Sequence, residues 1–234
     1  MRKIQTNIDW VINPDGTRGS TCNFCVGCSA VGCAVGDRCY ARRIAKRRKH
    51  ECDKCYRFQP HLHLQRLEKI SQIQRPTGFF LSMGEFFDQA FSDWVIQDVL
   101  NTLGEMPQHR FYLLTKQAHR LPDFKYPPNV WLGVSVNNQR DIWRIADLKK
   151  TRAHIKFISF EPLYENIVGL DLHGVNLIII GAETCNGRTT VQPASLWVAD
   201  LMSLGHYHGA KVFLKDNLGV HPNFPNEFPE VMKA

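Results

Sequence analysis

The sequence predicts an α/β fold: a complete or partial parallel (β/α) barrel behind a Cys-rich N-terminal metal-binding loop. Three observations predict it. Six short apolar runs recur, at 79–83, 111–115, 130–136, 157–160, 177–181 and 212–215, each too continuous for a strand with one wet face. Amphipathic stretches at about 92–104, 138–150 and 194–208 lie between them, the alternation that builds a parallel sheet covered by helices. All but one of the eight cysteines fall between Cys22 and Cys55, ahead of the first run. An open doubly wound sheet is the alternative, although no G-x-G-x-x-G supports a dinucleotide site. Residues 1–60 read as the Cys-rich segment and 61–234 as the barrel-like remainder, integrated into one domain.

In chain order, 1–21 is irregular, with a turn at Asn13-Pro14-Asp15-Gly16 and with Trp10 and Ile12 packing beneath the next segment. Residues 22–39 have neither helical nor strand period and read as a loop around metal. A helix over 40–50 is basic on its outer face. A second, over 61–74, turns Leu62, Leu64, Leu67 and Ile70 inward. The segment before 130, with Pro122, Pro127 and Pro128, reads as loop. The Pro-rich tail, Pro222 to Pro229, reads as a surface wrap.

An apolar content of 44% is enough to bury a sizeable core in 234 residues. No run approaches the roughly 20 apolar residues of a membrane span, and no signal peptide is visible. A cytoplasmic location is expected, with no membrane partner. Disulfides are disfavoured there, so metal ligation is the favoured use of the thiols.

Two CxxC pairs bracket the cluster, Cys22 with Cys25 and Cys52 with Cys55, and together they read as a four-thiolate zinc site. Removing them leaves Cys28, Cys33 and Cys39, which can hold an iron–sulfur cluster by three corners and leave one iron open. Cys22, Cys25 and Cys28 are an alternative triad, and one large zinc site with spare thiols is another reading. Cys185 stands alone as a packing thiol or a minor site candidate. His61 and His63 read as surface residues outside the metal set.

Polar residues follow every apolar run: Ser82 and Glu85, Thr115 and Lys116, Ser135 and Asn137, Ser159 and Glu161, Glu183, and Lys215 with Asp216. In a parallel barrel these ends share one rim, where catalytic groups gather. The plainer reading is a ring of ion pairs holding loops. The net charge is +7, concentrated at Arg42, Arg43, Lys46, Arg47, Arg48, Lys49 and His50. That run reads either as a solvated helix face or as the footprint of a nucleic acid partner, through Arg42 to Lys49.

Gly27-Cys28, Gly32-Cys33 and Cys39-Tyr40-Ala41, with matches at Asn13-Pro14, His61 to Leu67, Ser82 to Phe87, Leu114-Thr115-Lys116, Asn129 to Ser135, Ser159 to Leu163, Gly181-Ala182-Glu183 and Phe213-Leu214-Lys215, carry a resemblance. The chain resembles a phage and bacterial family of unknown function with a three-cysteine Cys-Tyr-Ala motif, which is similar to radical SAM enzymes. Those enzymes typically space their ligands C-x3-C-x2-C; here the gaps are four and five residues. The resemblance implies a barrel of the radical SAM type, a [4Fe-4S] cluster, bound S-adenosylmethionine, an electron donor and a radical reaction. It implies that Glu85, Lys116, Glu161, Glu183 and Lys215 hold polar groups of cofactor or substrate. Ser82, Ser135, Asn137 and Ser159 would then line the cofactor's approach. The function expected is a radical-SAM-like enzyme acting on a nucleic acid or nucleotide. The competing reading is a zinc-stabilised nucleic-acid-binding protein without catalysis, and a third is a scaffold of this type that has lost catalysis.

Overall fold

The computed structural model describes residues 6–29, 33, 36–47, 52–185, 188–219 and 226–229. In chain order the elements are β1 (Ser20–Thr21), β2 (Cys25–Val26), α1 (Tyr40–Lys46), α2 (Asp53–Tyr56), β3 (His61–Leu62), α3 (Gln65–Ser71) and β4 (Gly78–Phe80). Then come α4 (Asp93–Gly104), β5 (Arg110–Thr115), β6 (Val130–Ser135), α5 (Trp143–Lys150), β7 (Ile155–Phe160) and β8 (Leu177–Ile180). The chain ends on β9 (Glu183–Cys185), β10 (Arg188–Val191), α6 (Ser195–Tyr207) and β11 (Lys211–Leu214).

Seven of these strands form one sheet in the order β1-β4-β5-β6-β7-β8-β11, and every neighbouring pair is parallel. The order never reverses. A doubly wound sheet reverses at its switch point, so this is the winding of a barrel, open between β1 and β11. The result is a half-barrel. Two antiparallel pairs, β2 with β3 and β9 with β10, sit at its mouth.

Strand periodicity sorts the side chains. Phe79, Phe111, Leu113, Leu132, Val134, Ile158, Ile178 and Val212 pack in the large core beneath the helices. Phe80, Tyr112, Trp131, Phe157, Ile179 and Phe213 face the concave side. Trp10 fills that side, with its ring edge-on to Phe80 at 4.7 Å and to Tyr112 at 5.6 Å. Two residues further along each strand, and four on β6, the same inward parity reaches Ser82, Leu114, Ser135, Ser159, Gly181 and Lys215. The concave face therefore has an apolar floor and a polar rim.

Gly133 sits on the inward series beside Phe157. A Cβ there would lie 2.4 Å from the Phe157 ring, which is wholly buried. Gly133→Ala is expected to cost about 2–3 kcal/mol through overpacking. Urea denaturation reads the cost, and an unchanged midpoint would mean the ring can yield.

Several expectations need correcting. The stretch 61–74 begins as a strand, not a helix, because His61 and Leu62 pair with Val26 and Cys25. Leu64 is consequently 52% exposed rather than inward, while Leu67 and Ile70 are buried as expected. The strand Ser20–Thr21 is additional; two polar residues give no apolar signal, and only pairing with Phe79 and Phe80 makes them strand. The stretch 138–150 divides into a 3-10 turn, Gln139–Asp141, and α5. The described part of the 40–50 helix ends at Lys46, and Arg48, Lys49 and His50 lie outside the described residues. So do Pro222 to Pro225, whereas Phe228 packs on Phe213 at 5.3 Å. Among the described residues, no helix is long and apolar enough to cross a membrane.

Candidate active site

A cavity of about 480 Å³ opens at the carboxyl ends of the sheet strands. Its walls include Ser82, Glu85, Lys116, Ser135, Ser159, Glu161, Glu183 and Lys215 from the strand ends, and Cys28, Cys33 and Cys39 from the N-terminal loop. Trp10, Phe80 and Leu114 form the floor, and Tyr40, Arg42 and Phe58 the opposite side. Of the strand-end residues expected to hold cofactor or substrate, all but Asn137 therefore share one cavity with three thiols.

The cysteine loop is stitched to the sheet at successive points. Cys22 N donates to Phe80 O at 3.0 Å. Asn23 Oδ1 accepts from the backbone N–H of Ser82 at 2.9 Å and of Met83 at 3.0 Å. Gly27 N donates to Met83 O at 3.1 Å, and Glu85 N to Gly27 O at 2.9 Å. Asp88, fully buried, accepts from both N–H and hydroxyl of Ser29 at 2.7 Å. Beyond the thiols, α1 crosses the mouth. Tyr40 donates its hydroxyl to Ser82 O at one side, while Arg38 pairs with Glu183 at 3.0 Å on the other. Arg43 reaches Cys185 Sγ at 3.0 Å, which makes that thiol a docking point for α1.

The rim residues differ in how free they are. Glu85 is buried, which raises its pKa, and both its oxygens are occupied: Oε1 by Thr115 Oγ1 at 2.5 Å, Oε2 by Lys116 N at 3.0 Å. It clamps the turn after β4 to the end of β5. Lys116 Nζ meets only Ser135 Oγ, at 3.4 Å, and has no ion-pair partner among the described residues. Lys215 Nζ lies between Glu161 Oε1 at 2.5 Å and Asp9 Oδ1 at 3.4 Å. Burial opposes its charge, but the two carboxylates outweigh burial and hold its pKa above the ordinary lysine value. Ser159 is almost fully buried in the wall. Asn137 departs from expectation. It is fully buried outside the cavity wall, its Nδ2 donating to Pro162 O at 2.8 Å and its N–H to Asp141 at 3.0 Å, so it braces the loop after β7.

The cysteines divide differently from the expected four and three. Among the described residues, Cys52, Cys55, His61 and His63 form a group whose donor atoms all lie within 4.8 Å of one another, and it could hold a metal ion such as zinc. Cys22 and Cys25 are not in it. Cys22 packs in the main core, where burial pushes its thiol up to about 12. Cys25 is wholly buried, its thiol also pushed up by burial, with Sγ 3.7 Å from Glu85 O. Cys52, by contrast, has its thiol pKa lowered by the N–H of Cys55. His63 is pushed down to about 4, first by burial and then by Arg66 and His61, so its imidazole is a neutral donor at pH 7.

Sequence reasoning read His61 and His63 as surface residues; the structure buries His61 and sets both beside Cys52 and Cys55. In a helix, side chains two apart diverge; in the strand that forms here they share a face. The run C-x2-C-x5-H-x-H was the available signal. Asp9, Asn23, Arg38 and Asp88 were missed too, and nothing local in the sequence marks them. The basic stretch is also partly turned inward: Arg42 lies over the Phe58 ring at 5.2 Å and Arg43 on Cys185, leaving Lys46 and Arg47 exposed.

Residues 5–224 match a family described as "Protein of unknown function (DUF5131)". The chain belongs to that family. No curated protein and no solved structure matches it. Membership joins the half-barrel and the cysteine loop in one family unit, since the match spans both.

Proposed function

We propose that this chain is a radical-SAM-type enzyme whose Cys28, Cys33 and Cys39 hold a [4Fe-4S] cluster at the wall of the half-barrel cavity. The observation that supports this most is that three thiols and the polar strand ends share one cavity. The donor set fits. All three thiols belong to residues of the cavity wall, and a cuboidal cluster takes each thiolate on a different iron. Such a cluster with S-adenosylmethionine supplies hydrogen-atom abstraction from carbon, chemistry that no side chain here performs.

The chain's own residues bind and orient. Lys116, in the cavity wall, has no ion-pair partner among the described residues and is suited to an anionic group of the ligand. Arg42 lines the same cavity and adds a second positive charge to its wall. Glu161 and Lys215 form a fixed charge pair in the wall, and Glu183 is held by Arg38. Ser135 and Ser159 keep the wall thin where a ligand must approach. The apolar floor of Trp10 and Phe80 excludes water from below. A nucleotide or nucleic acid substrate accords with the net charge of +7 and the exposed Lys46 and Arg47. The inward turn of Arg42 and Arg43 favours this reading over a binding protein without catalysis.

Purification without oxygen, reconstitution with iron and sulfide, and a reductive S-adenosylmethionine cleavage assay test the proposal. Uptake of about four irons per chain with cleavage products is expected. A protein that takes up no iron above a cysteine-free control refutes it.

A further inference from the structure

We infer that Cys52, Cys55, His61 and His63 form a closed mononuclear zinc site whose role is to hold the cysteine loop in place. The four donors come from two short elements. Cys52 caps α2 and Cys55 lies one turn on; His61 lies in β3 and His63 two residues further along. Both spacings put each pair of donors on one side of its element.

The distances suit a single ion. Cys55 Sγ lies 3.4 Å from His61 Nε2 and 3.2 Å from His63 Nε2. Cys52 Sγ lies 3.5 Å from His61 Nε2, and the two Nε2 atoms are 2.9 Å apart. Tetrahedral zinc, with bonds of about 2.0–2.3 Å, sets its ligands about 3.3–3.8 Å apart, so these four distances lie within about half an ångström of the tetrahedral values and all donor atoms lie within 4.8 Å. The tautomer is right as well. His61 Nδ1 lies 2.8 Å from Gln59 O; donating its proton there leaves the Nε2 lone pair facing the group. Two thiolates and two imidazoles select zinc over hard cations, and four protein ligands leave no vacant corner for chemistry.

The segment these ligands clamp carries the cavity wall. Phe24 O accepts from His63 N at 2.7 Å, and Cys28 N donates to Phe58 O at 3.3 Å. Gly27 lies so close to Gln59 that a Cβ would fall 2.1 Å from its carbonyl oxygen. Cys28 is therefore held on one side by residues 58–63, as its neighbours Gly27 and Ser29 are held on the other by Met83, Glu85 and Asp88. Cys55 and Phe58 pack in a small apolar cluster with Val26, Ala41, Ala45 and Met83, but the local elements are short: α2 has four residues and β2 and β3 two each, lengths at which helices and strands do not persist unaided. A metal bond supplies the missing fixation.

The test uses the whole chain, expressed with zinc and without iron loading. About one zinc per chain is expected, with X-ray absorption fitting two sulfur and two nitrogen neighbours. His63→Ala should cut bound zinc about tenfold or more, while Cys22→Ala leaves it unchanged. Chelation should raise hydrogen exchange at the 24–28 amides. Absence of zinc, a four-sulfur shell, zinc lost from Cys22→Ala but kept by His63→Ala, or unchanged exchange on chelation each overturn the inference. If His63→Ala does not fold, the absorption spectrum of the unaltered protein still decides. The zinc result does not depend on iron uptake, so this inference and the proposed function fail separately.

Discussion

Cys39→Ala is expected to abolish cluster loading, taking iron from about four per chain to about none, with the zinc content unchanged. Cys39 stands at the start of α1, and Tyr40 beside it is fixed by its bond to Ser82 O, so the thiol's place in the wall is set by two anchors. Two remaining thiolates leave half of a cuboidal cluster without protein ligands. No nearby sulfur substitutes, because Cys185 is engaged by Arg43 and Cys25 is buried in the core. Metal analysis and visible absorption after anaerobic reconstitution read the effect. Cys22→Ala serves as the contrast, since Cys22 packs in the core and should affect stability rather than iron. Full loading of Cys39→Ala, with normal folding, would remove this cysteine from the proposed cluster.

Lys215→Met is expected to destabilise the fold by about 3 kcal/mol, the lower end of what breaking a buried ion pair costs. The lower end applies because Glu161 is 25% exposed, although Asp9 is only 9% exposed. The substitution leaves two carboxylates facing each other without a countercharge. It also removes a tie between the N-terminal segment and the last strand of the sheet, which Asp9 otherwise reinforces by accepting from Asp216 N at 3.0 Å. Because the folded-state pKa of Lys215 is raised, its stabilisation is fully present below the ordinary lysine value of about 10.4 and is lost as pH rises through the higher folded-state value. The gap between protein and variant should therefore stay constant from neutral pH to about pH 9 and narrow only in stronger alkali. Urea denaturation across that range measures it. Adding Glu161→Gln should recover part of the loss, since it removes one of the stranded charges. Equal midpoints for Lys215→Met and the unaltered chain would show that the pair carries no stability.

The sheet was legible because each of its long strands is buried on both faces, and continuous apolar runs such as Leu177 to Ile180 have few other uses. The rim was legible for the same reason: where an apolar run ends, parity alone decides which residue faces the cavity. Ser82, Ser135, Ser159 and Lys215 follow that parity. Asn137 follows it too, yet it is drawn away by Pro162 O and Asp141, a competition that no pattern of polarity records. The cysteines were the harder case. A CxxC pair announces a ligand turn but not its partner, and Cys22-x2-Cys25 is the same string whether its thiols face a metal or a hydrophobic core.

The amino-acid sequence by itself determined a parallel sheet covered by helices, the run of polar strand ends and the presence of a thiolate-rich loop, because hydrophobic periodicity is a local property, whereas the winding of the sheet was settled only by its strand order. Only the tertiary structure decided which thiols meet imidazoles, which line the cavity and which are buried. Those choices depend on contacts such as His61 against Val26, Ser29 against Asp88 and Arg38 against Glu183, between residues far apart in the chain.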